Sequence, residues 1–137
     1  MKIYWDTSAI VALSPEVYEK LRDSAGQITL SHLTELEVVC AMCRRSARPS
    51  QSKEKLLRAA LSNLERIAKL NLGPRLDRLC SAARQLAMKH RLSSNDSLHL
   101  AAAVHIRDEA GAAVEMASYD NELRRAALAE GLTVFPA

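Results

Sequence analysis

Short apolar stretches rich in β-branched and aromatic residues alternate along the chain with longer segments in which apolar residues recur every three or four positions. The short stretches predict strands at residues 2–5, 28–31, 67–70, 114–118 and 133–136. The longer segments predict helices at Pro15 to Ser24, Leu33 to Arg45, Lys53 to Ala68, Leu76 to His90, Asp96 to Glu109 and Asn121 to Glu130. Such alternation is typical of α/β proteins, in which helices cover both faces of a parallel sheet. We therefore predict an α/β fold with a central parallel sheet of four to five strands.

The size and composition favour one helix-rich domain. The chain has 137 residues, of which 48% are hydrophobic, and only four Gly and four Pro. This length suffices for one sizeable core, and the low Gly and Pro content favours helices. No repeat or long linker interrupts the pattern, and Ser46 to Ser52 is predicted to form an exposed turn. We expect a single domain spanning residues 1–137.

Basic residues are concentrated between two predicted helices, although the formal net charge is only +3. This basic segment, residues 44–58, contains one acid, Glu54, and the cations Arg44, Arg45, Arg48, Lys53, Lys55 and Arg58. Such a cluster is suited to contact phosphates, although a solvated helical tip has the same composition. Because only 4% of the residues are aromatic, base stacking is not expected to dominate nucleic-acid recognition.

Neither a secretory signal nor a membrane span is predicted. Asp6 interrupts the apolar stretch at the amino terminus, and no apolar run approaches the ~20 residues that a bilayer requires. The three cysteines are an odd number, which does not suit a secreted disulfide scaffold. We expect a cytoplasmic protein without a membrane partner, in which Cys40 and Cys43 are small buried side chains rather than a metal or redox pair.

Two aspartates directly follow predicted strands. Asp6 follows residues 2–5, and Asp120 closes the segment MASYD at the end of the fourth strand. In open α/β sheets, ligands bind beyond the carboxyl ends of the strands. We therefore expect both acids at the same edge of the sheet, although Asp120 can also serve as the N-cap of the helix that follows it.

Two further acids are candidates for the same edge. Asp96 lies in the first turn of its helix, where an acid also acts as an ordinary capping group. Glu37 follows Ser31 by six residues and shares an apolar helical stripe with Leu33, Leu36 and Cys40, so it requires a partner. Glu35 lies on another face and is interpreted as solvated, although a shift of one residue would exchange the two glutamates.

Four converging carboxylates would require a counter-charge. Two carboxylates about 4 Å apart repel each other by about 4 kcal/mol at an effective dielectric constant of about 20. A divalent cation removes this repulsion, and a site made only of carboxylates favours Mg²⁺ or Mn²⁺ over zinc.

The order and spacing of these segments resemble the PIN domain family, and more closely the VapC-type ribonuclease toxins of bacterial toxin–antitoxin pairs. DTSAIVAL (6–13) is similar to the first motif of the family, SHLTELEVVCAM (31–42) to the second and NDSLHLAAA (95–103) to the third. MASYDNELRRAALAEGLTVFP (116–136) resembles the closing segment, so that the resemblance extends over the whole chain.

The resemblance implies a three-layer α/β/α fold and Mg²⁺- or Mn²⁺-dependent hydrolysis of RNA. Asp6 and Asp96 would be metal ligands, with Glu37 and Asp120 completing the catalytic set. Thr7 or Ser8 would support Asp6, and His99 would either assist or pack beside the site. The implied partners are an RNA substrate, a cognate antitoxin and a second copy of the chain in a homodimer. Arg44, Arg45, Arg48, Lys53 and Lys55 are the candidate RNA contacts.

Three alternatives remain. A PIN-like protein that binds RNA or a partner without cutting would keep the basic segment but would not respond to metal. A phosphohydrolase of the haloacid-dehalogenase type needs an Asp two residues after the first, where this chain has Ser8. A dinucleotide-dependent enzyme is disfavoured because no glycine-rich turn follows any predicted strand.

Overall fold

The computed structural model describes residues 1–12, 14–23, 28–45, 55, 58–59, 61–62, 64–65 and 69–137. Its strands are β1 (Lys2–Trp5), β2 (Ile28–Ser31), β3 (Lys69–Leu70), β4 (Val114–Ala117) and β5 (Thr133–Phe135). Its helices, numbered in chain order, are α1 (Thr7–Ala12), α2 (Pro15–Asp23), α3 (His32–Arg45), α4 (Leu76–His90), α5 (Ser94–Ala110) and α6 (Asn121–Ala129), with a short 3₁₀ helix at Gly73–Arg75. Within these ranges, no helix has both the length and the apolar character needed to cross a bilayer.

All five strands form one parallel sheet in the order β3-β2-β1-β4-β5. This arrangement confirms the predicted α/β fold with a parallel sheet. The chain builds the sheet outward from β1 through β2 and β3, then returns to the other side of β1 for β4 and β5. The carboxyl ends of β1 and β4 therefore flank the point where the strand order reverses, which is where open α/β sheets bind their ligands.

Alternating side chains of β1 divide the core between the two faces of the sheet. Ile3 and Trp5 pack on one face with residues of α1, α2 and α3, including Ile10 and Val38. Tyr4 packs on the opposite face with residues of α5 and α6. Because successive side chains of a strand point to opposite faces, the buried run at residues 3–5 requires helices on both sides. The sheet and its two helical layers confirm the expected α/β/α architecture.

The boundaries of the elements differ from the predictions in places. The predicted helix list omits α1, whose six residues are too few to show a helical period. Helix α5 begins at Ser94 rather than Asp96, because the Ser93 side chain accepts a hydrogen bond from the Asp96 amide and acts as the N-cap. The predicted helix from Lys53 to Ala68 lies largely outside the described residues, as does the turn at 46–52.

The expected burial of the cysteines is wrong. Cys40, Cys43 and Cys80 are all exposed. Helix α3 buries a different face, on which Thr34 and Val38 are fully inaccessible. Cys40 is turned outward as a result, as is Leu36, which is 59% exposed.

Candidate active site

Asp6 is held at the carboxyl end of β1 by a set of hydrogen bonds. Its side chain is only 4% exposed, and its backbone N–H donates to the Ala117 carbonyl of β4 at 3.0 Å. The carboxylate oxygen Oδ2 accepts from the Ser8 hydroxyl at 2.6 Å, the Ser8 amide at 3.2 Å and the Ser118 hydroxyl at 3.1 Å. Ser8, rather than Thr7, therefore supports Asp6. The Thr7 hydroxyl has no hydrogen-bond partner among the described residues.

Ser118 is a site residue that the sequence reasoning missed. It is fully buried directly after β4, and its hydroxyl accepts from the Asp120 amide at 3.1 Å while it donates to Asp6. The Ser8 hydroxyl accepts from the Tyr119 amide at 2.9 Å, which connects the two strand ends again. A hydroxyl residue near each strand-end aspartate, in DTS and SYD, was the available sequence signal.

Asp120 caps helix α6, as the alternative interpretation expected. Its Oδ1 accepts from the Leu123 amide at 2.9 Å. The Asp120 carboxylate also repels the carboxylate of Asp96, which raises the pKa of Asp96. Asp120 therefore serves as a cap and lies within electrostatic reach of the site.

Asp96 lies in the first turn of α5, where two other carboxylates repel its charge. Partial burial raises the pKa of Asp96 above its usual range, and repulsion from Asp120 and then Asp6 raises it further. The hydrogen bond with Ser93 and the nearby His99 act in the opposite direction. Three of the predicted acids are therefore electrostatically coupled across the carboxyl ends of β1 and β4.

Glu37 is linked to Asp6 through the ring of His99. Nε2 of His99 lies 2.7 Å from Oε1 of Glu37 and 3.6 Å from Oδ1 of Asp6. Glu35 does not share this position, because its Oε2 pairs with Lys69 Nζ at 3.4 Å. Glu37, and not Glu35, therefore lies beside His99 and Asp6. Glu35 was predicted to be solvated and instead forms an ion pair. We refer to Asp6, Glu37, Asp96 and Asp120 as the acidic rim.

The acidic rim is not a closed metal cage. Among the residues that the structure describes, no three His, Cys, Asp or Glu side chains are arranged to hold one ion between them. Mg²⁺ commonly binds through one or two carboxylates and retains several waters, so it does not require such a cage.

The structure covers the basic segment only in part. Arg44 is exposed at the end of α3, and Lys55 is also exposed. The Arg45 side chain, Arg48 and Lys53 lie outside the described residues. The proposed RNA contacts therefore stay a prediction.

Comparisons with known proteins agree with this architecture. The family model described as "PIN domain" matches residues 3–128. The crystal structure of PAE2754 from Pyrobaculum aerophilum is similar in fold, with a TM-score of 0.64 and 22% sequence identity over 92% of this chain and 86% of that one. No curated protein matches the chain.

Proposed function

The chain belongs to the PIN domain family, and from this premise we propose that it is a Mg²⁺- or Mn²⁺-dependent endoribonuclease. PIN domains are typically nucleases, which supports a hydrolase at the coarse level. The observation that carries the proposal is the acidic rim at the switch point of the sheet. There, partial burial raises the pKa of Asp96, and the neighbouring carboxylates of Asp120 and Asp6 raise it further.

The donor set fits a hard divalent ion. Oxygen ligands are the ones that Mg²⁺ and Mn²⁺ prefer, and a cation would relieve the repulsion that raises the pKa of Asp96. Asp6 and Asp96 would hold the ion. When bound, the ion would lower the pKa of a water molecule and offset negative charge on the phosphate oxygens.

The contribution of the protein is to hold and orient these groups. Three hydrogen bonds fix Oδ2 of Asp6, so that its other oxygen, Oδ1, keeps one orientation beside His99. Glu37 and Asp120 supply further acceptors, which can orient an attacking water by hydrogen bonds. Exposed cations such as Arg44 and Lys55 would contact RNA phosphates away from the rim.

Cleavage of total cellular RNA by the purified protein tests this proposal. Asp96→Asn removes one rim charge, and Asp77→Asn is its matched control, because Asp77 is an exposed acid in the first turn of α4. We expect Mg²⁺-dependent fragments from the wild type and from Asp77→Asn. Cleavage by Asp96→Asn should fall by at least about 100-fold, because loss of even an outer-shell partner of a metal costs about 10–100-fold. Equal cleavage by the three proteins would refute the role of the rim.

The resemblance to VapC-type toxins supports a narrower proposal. In this proposal the chain is the toxin of a toxin–antitoxin pair, cuts RNA in the cytoplasm, forms a homodimer and is inhibited by a cognate antitoxin. Expression of the wild type should arrest bacterial growth, whereas Asp96→Asn should not. Light scattering on the purified protein should give twice the chain mass. Normal growth with active enzyme in the cells would contradict the toxin role, and the monomer mass would contradict the dimer.

A further inference from the structure

A chain of buried contacts behind the acidic rim ends on Glu37. The Tyr4 hydroxyl lies 3.1 Å from Oγ of Ser31 and 2.8 Å from Nδ1 of His99. The other ring nitrogen of His99, Nε2, lies 2.7 Å from Oε1 of Glu37. Ser31, Tyr4 and His99 are each 1% exposed, so water does not compete for these contacts. We refer to Ser31, Tyr4 and His99 as the buried relay.

The groups at the two ends of the relay identify two of its donors. An ionised carboxylate can only accept, so Nε2 of His99 carries the proton in the contact with Glu37. Nδ1, on the other side of the His99 ring, contacts the Tyr4 oxygen at 2.8 Å. Burial raises the pKa of Tyr4, which keeps this hydroxyl protonated. The Tyr4 hydroxyl donates to Oγ of Ser31, and its oxygen faces Nδ1 of His99.

We propose that His99, oriented from behind by Tyr4, is a positioning residue that holds the Glu37 carboxylate at the acidic rim. The inference rests on the proposed function, because the position of Glu37 matters for an ion or water held there. Glu37 is half-buried on α3 between Leu36 and Val38, and the neighbouring Leu36 is largely exposed. Without the contact, the flexible glutamate side chain can turn toward solvent.

The contact also joins two of the elements that supply the rim. His99 lies on α5, one turn after Asp96, whereas Glu37 lies on α3. These two side chains are 62 residues apart in the chain. Glu37 is therefore oriented by the same helix that carries Asp96. The distance between the two acids is then set by the packing of α3 and α5 rather than by a freely rotating side chain.

The first test is the tautomer of His99 in the metal-free protein. Imidazole ¹⁵N chemical shifts distinguish a proton on Nε2, a proton on Nδ1 and a doubly protonated ring. We expect a proton on Nε2 in the wild type, and a changed Nδ1 shift in Tyr4→Phe, which removes the hydroxyl but keeps the packed ring. A wild-type ring that carries its only proton on Nδ1 would overturn the proposed contact with Glu37.

The second test is Mn²⁺ affinity, measured by calorimetry in the absence of RNA. Tyr4→Phe should weaken binding by about tenfold, as is typical for loss of an outer-shell partner. The same substitution made in a Glu37→Ala background should have no further effect, because its target is absent. His105→Leu is the control, since His105 lies on the same helix and its Nε2 is 3.2 Å from Glu109. It should bind Mn²⁺ as the wild type does.

The outcomes separate positioning from simple structural support. Thermal melting reports the stability of each variant and will show whether Tyr4→Phe is folded. Equal weakening in both backgrounds, or unchanged affinity in a folded Tyr4→Phe protein, would overturn the proposal. If the wild type does not bind Mn²⁺ at all, the proposed function fails, while the tautomer still decides whether the relay orders Glu37.

Discussion

Ser118→Ala is expected to lower the free energy of unfolding, because Ser118 forms hydrogen bonds where β1 and β4 end. Ser118 is fully buried, donates to Oδ2 of Asp6 at 3.1 Å and accepts from the Asp120 amide at 3.1 Å. The substitution removes one of the three hydrogen bonds to a carboxylate that is only 4% exposed. Ser8 cannot replace the missing donor, because its hydroxyl already donates to the same oxygen.

The size of the effect follows from these contacts. A hydrogen bond to a charged group contributes about 1.5–3 kcal/mol to stability. The Asp120 amide adds little, because Asp120 is partly exposed and water can replace the lost acceptor. We therefore expect the free energy of unfolding to fall by about 2 kcal/mol. At this chain length, that corresponds to a decrease of roughly 6–8 °C in melting temperature.

Urea unfolding with EDTA present measures this change, and Ser97→Ala is the matched control. Ser97 is also buried, at 3% exposure, but its hydroxyl donates to the Ser94 carbonyl within α5 rather than to a carboxylate. The control should lose less than about 1 kcal/mol. An equal loss in both variants would show that Ser118 supports Asp6 no more than an ordinary buried serine supports its helix.

Two further predictions concern the charges. The pKa of Asp96 is raised in the folded, metal-free protein. The folded state therefore keeps the carboxyl proton at pH values where the unfolded chain has already lost it. As a result, the free energy of unfolding should fall as pH rises from 3.8 through the folded pKa. Urea unfolding across this range should show a shallower fall in Asp96→Asn, and superimposable profiles would contradict it. Arg44→Gln and Lys55→Gln should each weaken RNA binding. Each should also reduce the slope of log binding constant against log salt concentration by about 1, the value of one phosphate contact. Binding with an unchanged salt slope would exclude both residues from the interface.

The sequence predicted the elements that carry a strong local pattern. Asp6 directly follows the buried run at residues 3–5, and Asp120 follows the buried run at 116–118 after one exposed residue, Tyr119. Their positions therefore required no knowledge of long-range contacts. Helix α1 escaped prediction because its six residues span fewer than two turns. Local pattern therefore sufficed for the sheet and for where its aspartates lie.

The groups that orient the acids could not be predicted in the same way. Ser118 contacts Asp6 across 112 residues, and His99 contacts Glu37 across 62. Neither pair shares a helix or strand, so no periodicity within one element relates them. The exposure of Cys40 also could not be predicted from the local sequence pattern. The face of α3 that becomes buried depends on how the helix packs against the sheet.

RNA cleavage by the wild type and Asp6→Asn, each with Mg²⁺ and with EDTA, tests the central claim most directly. Asp6 is the most deeply buried acid of the rim, and Asn keeps its shape while removing its charge. The account predicts defined fragments only from the wild type with Mg²⁺, and a folded but inactive Asp6→Asn protein. Cleavage that persists in EDTA, or that Asp6→Asn retains, would contradict a metal-dependent nuclease built on this rim.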